Sequence, residues 1–188
     1  FAIWQRQLLG SPDDPASLAA RQLDYWSTTL AGLPEQLELP ADRARPDVAS
    51  YRGATYRFDI PAHTHAELAA VARAANATVF MGAQAGLVVL LARLSGTTDI
   101  AIGTPVAGRG EAALDQMVGM FVNSLTLRTQ YDANESFADL LARVREADLG
   151  AFAHAEIPFE QVVEVVDPAR SQAHHPLFQV VLTFQNVA

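Results

Sequence analysis

The chain has 188 residues, half of them hydrophobic and 18% charged, a balance that excludes a disordered polypeptide and suits one domain or a large piece of one. Thirteen basic against twenty-one acidic side chains leave a net charge of −8, which argues against a nucleic-acid surface built on clustered Lys and Arg. There is no cysteine, so a disulfide framework and thiolate chemistry are excluded, and a reducing cytoplasm fits.

No signal peptide is visible, and Phe1 is not an initiator; both ends are expected to be cuts in a longer polypeptide. Phe1 to Leu9, with Phe1, Ile3, Trp4 and Leu8, reads as a helical segment. Ser11 to Pro15 is a connector. A second helix is expected from about Ala16, with Leu18, Tyr25, Trp26 and Leu30 apolar and Gly32 closing it. Leu33 to Pro40 reads as extended and Ala41 to Pro46 as loop. Ala54 to Ile60 sets Tyr56, Phe58 and Ile60 against Thr55, Arg57 and Asp59, the alternation of a half-buried strand.

Thr64-x-x-Glu67 has the spacing of a capping box, followed by Leu68, Val71, Ala72 and Ala75 on one helical face. Thr78 caps the next predicted helix, Val79 to Leu94. This run is apolar nearly all round, but it is short for a membrane span and carries Gln84, so a buried core helix is expected. Ile100 to Ile102 reads as a short strand. The Gly/Pro-rich run Gly103 to Gly110 imitates a phosphate-binding loop but lacks the Lys-Ser/Thr that follows in one.

From Phe121 onward the period is two: Phe121, Asn123, Leu125 and Leu127 face one way, Val122, Ser124, Thr126 and Arg128 the other. Asn123 is thus an amide among large apolar side chains, where an unpaired carboxamide costs roughly 1–3 kcal/mol. Two readings stand: an Asn that pins nearby backbone, or one that faces a cavity and orients a substrate. A helix over Ser136 to Phe152, a shorter one after Pro158 ended by Asp167-Pro168, and a strand over Phe178 to Phe184 complete the chain. The order predicts a mixed α/β (α+β) fold, helices covering a mostly β central sheet.

The histidines do not assemble a site by spacing. His63-x-His65 has neither an HExxH pattern nor a second ligand cluster, so no metal is expected. His154 sits near a helix C-terminus, a favourable place for an imidazolium. His174-His175 has no carboxylate nearby to orient a base, and no Gly-x-Ser-x-Gly turn occurs.

Four ordered segments nevertheless resemble the condensation domains of nonribosomal peptide synthetases. Val118 to Arg128 is similar to their (I/V)GxFVNT-type motif, with Met120 and Ser124 as variants. His154-Ala155-Glu156-Ile157-Pro158-Phe159-Glu160 resembles HQD(V/Y)PFE, with Ala155 and Glu156 in place of Gln-Asp. Arg170 to Leu177 resembles RxxSRxPL, and Phe1-Ala2-Ile3-Trp4 the tail of YxDFAxW; Asp99 to Arg109 also reads like the family. The family's catalytic HHxxxDG is absent, and His174-His175 does not supply it, so no catalytic residue is expected in this chain.

The resemblance implies a chloramphenicol-acetyltransferase-like half, the C-terminal subdomain over residues 1–188, truncated at both ends. It implies a partner N-terminal subdomain, donor and acceptor peptidyl carrier proteins and an adjacent adenylation domain. No cofactor is bound directly; substrates ride on the carriers' phosphopantetheine. Neither nucleic acid nor membrane is an expected partner. Asn123, Gly119, Phe121 and Ser124 are expected at the substrate tunnel, with Gly103, Thr104, Pro105 and Arg109 as a bridging or lining loop. The combination of IGTPVAGR (Ile102 to Arg109) with ARSQAHHPLFQV (Ala169 to Val180) leans toward a D-configured donor and an L-acceptor. Alternatives are a carrier-docking or epimerisation-type half, or a stand-alone coenzyme A-dependent acyltransferase of the same fold.

Overall fold

A computed structural model describes residues 1–110 and 112–185. The helices are α1 (Ala2–Leu9), α2 (Leu18–Thr29), α3 (Ala62–Ala74), α4 (Val79–Ser95), α5 (Phe137–Phe152) and α6 (Phe159–Val166), with a 3-10 turn at Ala112–Leu114. Three begin on hydroxyl caps that satisfy a free N–H of the first turn, each worth about 1 kcal/mol. Ser17 Oγ accepts Ala20 N–H at 3.0 Å, Thr78 Oγ1 accepts Met81 N–H at 3.2 Å, and Ser136 Oγ accepts Asp139 N–H at 3.2 Å. The predicted capping box at Thr64 is not used: α3 starts three residues earlier, with Pro61 at its N-cap.

The sheet is a long antiparallel pair, β1 (Asp99–Val106) and β2 (Asn123–Gln130), registered from Asp99 opposite Gln130 to Val106 opposite Asn123. Gly103, Thr104 and Pro105, expected in a loop, are therefore strand residues. Opposite β2 they find a complete ladder of partners, and that outweighs the Gly/Pro signal. Phe121, expected as the first strand residue, lies two positions before β2 begins.

The predicted last strand survives as a parallel bridge of Val181 to Gly103. Gly103 N–H donates to the Val180 carbonyl and Leu182 N–H to the Gly103 carbonyl, both at 2.9 Å. A Cβ on Gly103 would lie 2.3–2.5 Å from the Phe178 ring, so only glycine lets the two segments approach this closely.

Residues 54–60 form no strand. Their alternation is intact, but Tyr56 is 88% and Phe58 72% exposed, and the run has no ladder partner among the described residues. Alternation alone does not hold a strand, because its N–H and C=O groups need an edge to bond.

The core forms two clusters. Trp26, Leu30, Leu125, Leu127, Ile157, Val162, Leu177 and Phe178 make one; Met81, Ala85, Val88, Leu91, Ile100, Ile102, Leu140, Leu141 and Val144 make the other. The apolar α4 is buried through Met81, Ala85, Val88 and Leu91, as expected of a core helix. No single helix among the described residues is long and apolar enough to cross a membrane.

Candidate functional site

Asn123 opens β2, and its amide reaches the turn between α5 and α6. Nδ2 donates to the carbonyls of Ala155 at 3.0 Å and Ile157 at 2.8 Å, and Oδ1 accepts the N–H of Phe159 at 3.0 Å. Both donors and the oxygen are thus engaged by backbone. The turn is non-repetitive, so its own peptide groups have no ladder or helix to bond, and a side-chain amide substitutes for one.

The same turn is held from its other side by α2. Gln22 Oε1 accepts Ile157 N–H at 2.8 Å, and Gln22 Nε2 donates to Glu156 Oε2. One helical turn on, Trp26 Nε1 donates to the His154 carbonyl at 2.9 Å. The two motif segments that resembled a known family, Val118–Arg128 and His154–Glu160, are therefore joined directly, through one amide.

Around this joint the surface is apolar. Phe121 is buried, in T-shaped contact with Phe1 at 4.8 Å and under the Arg109 guanidinium at 4.2 Å. Arg109 also donates to the carbonyls of Leu114 and, at 2.9 Å, Met117, tying both to the side chain that covers Phe121. Beside it Val118 is fully exposed and Met120 89% exposed, and Ile3 and Trp4 of α1 are exposed as well. Gly108, at φ 63°, brings its Cα so close to the Phe121 carbonyl that a Cβ would sit 1.8 Å from that oxygen.

The other expected site residues fall as follows. Ser124 is half-buried in β2, and Gly119 lies against the Phe121 ring. Thr104 turns inward, its hydroxyl donating to the Leu182 carbonyl at 2.9 Å, while Pro105 is exposed. The crevice bounded by Ser124, Thr126, Ile157 and Phe159 is closed to water-sized molecules. An open cavity of about 630 Å³ lies elsewhere, between residues 45–51 and 171–181, lined by Arg45, Tyr51, His174 and Phe178 among others; none of the expected tunnel residues borders it.

Among the histidines, His154 Nδ1–H donates to the Gly150 carbonyl at 2.7 Å and the ring stacks on Tyr25 at 3.8 Å, a structural role at the end of α5. His175 stacks on Phe178 at 4.2 Å, and desolvation there lowers its pKa, opposed by a backbone hydrogen bond at Phe178. No group of three or more His, Cys, Asp or Glu suited to a metal ion occurs among the described residues.

The Condensation domain family model matches residues 1–188. The chain belongs to the Condensation domain family. A probable non-canonical nonribosomal peptide synthetase (NRPS), CymA, of Salinispora arenicola is 51% identical over 188 residues, covering all of this chain and 2% of that protein. A dimodular nonribosomal peptide synthase of Bacillus subtilis is 51% identical over 186 residues, covering 99% of this chain and 8% of that protein. This condensation-domain chain thus spans a small fraction of the relatives it matches. Among solved structures, the X-domain in its complex with OxyB from teicoplanin biosynthesis superimposes with a TM-score of 0.90 at 35% identity, over 96% of this chain and 40% of that one. The mixed α/β architecture, a small sheet flanked by helices, is the chloramphenicol-acetyltransferase-like fold of the condensation domains it superimposes on.

Two residues of this condensation-domain chain that matter for the joint and its support carry no motif. Gln22 lies four residues from both Leu18 and Trp26, and Asp148 four residues after Val144, each on the buried stripe of its helix. A polar side chain in register with an apolar stripe is the only trace they leave in the sequence.

Proposed function

We propose that residues 1–188 form the C-terminal subdomain of a condensation domain whose complete form joins a carrier-bound donor acyl or peptidyl thioester to the amine of a carrier-bound aminoacyl thioester. The observation that carries this reading is the exposed apolar surface of Phe1, Ile3, Trp4, Val118 and Met120 about the buried Phe121, two residues from the Asn123 joint. Exposed apolar area of this kind suits burial against another body, here the N-terminal subdomain of the same domain, which brings the histidine motif that this chain lacks.

On this reading Gly119, Phe121 and Ser124 border the shared channel, and Asn123 shapes its wall by holding the 155–159 turn. Pro105 and Arg109 stand at the rim, with Gly103 and Thr104 in the sheet behind. Amide formation between two tethered substrates needs chiefly proximity and alignment, which supply up to about 7–11 kcal/mol in the best cases. Both substrates arrive on phosphopantetheine arms of the donor and acceptor carrier proteins, next to an adenylation domain, in the cytoplasm. The combination of IGTPVAGR with ARSQAHHPLFQV favours a D-configured donor.

A second reading follows from the X-domain likeness: a half that recruits a partner protein and does no chemistry. Peptide-bond assays of the intact protein with D- and L-donor thioesters separate the two. The double change Val118→Glu and Met120→Glu is expected to lower amide formation at least about tenfold with the far-UV circular dichroism unchanged. Unchanged turnover would overturn the channel assignment, and an intact protein that makes no amide with either donor would favour the recruiting reading.

A further inference from the structure

Away from the joint, α4 and α5 share one polar contact in an apolar interface. Gln84 and Asp148 are both fully buried, and Gln84 Nε2 donates to Asp148 Oδ1 at 2.9 Å. The remaining oxygen of each, Gln84 Oε1 and Asp148 Oδ2, is buried with no hydrogen-bond partner. Were Asp148 a carboxylate, both oxygens would be acceptors, and a buried negative charge would stand beside an unsatisfied carbonyl.

No cation among the described residues answers that charge. On α5 itself Arg143 bonds Glu135 and the Gln130 carbonyl, and Arg145 the Asn76 carbonyl. Arg128, on β2, is bonded to Asp99. From α2 the facing group is the Tyr25 phenol, whose pKa is raised mainly by burial, with the Asp148 charge adding to it; it is no counter-ion. A single proton on Asp148 Oδ2 would remove the buried charge and turn that oxygen into a donor, for which Gln84 Oε1 is the unpartnered acceptor of the same pair.

We infer that Asp148 is a neutral acid in the folded chain and that its proton closes a latch with Gln84 joining α4 to α5. Burial pushes the Asp148 carboxyl up to about 7, against the pull of the Gln84 hydrogen bond. The folded state therefore holds the proton more tightly than the unfolded chain, where the group ionises near 3.8. The latch's contribution is complete below that unfolded value. It declines as pH rises and is gone once pH passes the folded value of about 7. Because α5 ends at Phe152, just before the turn held by Asn123 and Gln22, the latch sets the α4–α5 seat from which that turn departs.

Hydrogen exchange of the intact protein tests this, comparing the wild type with Asp148→Asn at each pH between about 4.5 and 8.5 so that intrinsic exchange cancels. The amide introduced by Asp148→Asn donates to Gln84 Oε1 at every pH, so the variant is expected to keep α4 and α5 protected while the wild type loses up to about tenfold in protection per pH unit between the unfolded value of 3.8 and the folded value of about 7, and levels off above it. A wild-type-to-variant ratio that does not change with pH, or a variant less protected throughout, would overturn the latch. If Asp148→Asn fails to fold, infrared difference spectra of the unaltered protein decide. A buried neutral-carboxyl C=O band that vanishes between about pH 6 and 8.5 supports the proton, and no such band refutes it.

Discussion

Gln22 and Asn123 hold one residue from opposite sides: Ile157 donates its N–H to Gln22 Oε1 and receives Asn123 Nδ2 on its carbonyl, each at 2.8 Å. Two amides, distant in the chain and on different elements, thereby hold a turn that has no regular structure of its own. The turn carries Pro158, the N-cap of α6, so its position also sets where α6 starts.

Replacing Asn123 by Ala frees the carbonyls of Ala155 and Ile157 and the N–H of Phe159 together. The expected loss of stability is about 2–4 kcal/mol, since three partly buried groups left without partners cost more than an average hydrogen bond contributes. Urea unfolding of the intact protein measures it; an unchanged midpoint would mean that the amide does not hold the turn. Gln22→Ala is expected to behave alike. The double variant should lose less than the two single losses combined, by roughly 0.5–2 kcal/mol, because either change releases the same turn.

Arg128 ties three elements. It meets Asp99 through two bonds, at 2.9 and 2.6 Å, and donates to the carbonyls of Thr29 and Ala31, at 2.9 and 2.8 Å, at the end of α2. Both charged side chains are only 15% exposed. Arg128→Lys keeps the charge but cannot span four acceptors, and is expected to cost about 1–3 kcal/mol; Arg128→Ala, which strands Asp99, about 3. The loss should persist in high salt, because the pair is largely shielded from solvent ions. A melting series at low and high salt checks both statements.

Gly103→Ala forces a methyl into the face of Phe178, and the expected cost is about 1–3 kcal/mol or more. Adding Phe178→Leu makes room and should recover part of it. An alanine variant as stable as the parent would show that the last segment does not pack on β1 as described.

The pH response of His175 runs opposite to that of Asp148. Its folded pKa is lowered, chiefly by desolvation against its neighbours. The folded state therefore binds fewer protons, and stability is lost as pH falls from the ordinary histidine value near 6.5 toward the lower folded one. His175→Phe should flatten that acid limb of a melting-temperature profile and leave the alkaline limb unchanged; an acid limb identical to the parent's would exclude His175 as its source.

Much of this chain was legible in its residues. The caps at Thr78 and Ser136, the glycine at 96, the buried α4 and the stripes of α5 and α6 follow from local spacing, because a helix satisfies its backbone within itself. The motif segments identified the family by the same local reading. Tertiary structure alone decided the rest. Tyr56 and Phe58 alternate as well as Leu125 and Leu127 do, yet only β2 has an edge to pair with, and Gly103 to Pro105 became strand for the same reason. For Asn123 the spacing named no partner, and only the fold brought Ala155, Ile157 and Phe159 to its polar atoms. A strand and a buried amide complete their hydrogen bonds with residues distant in the chain, so only the folded chain specifies those partners.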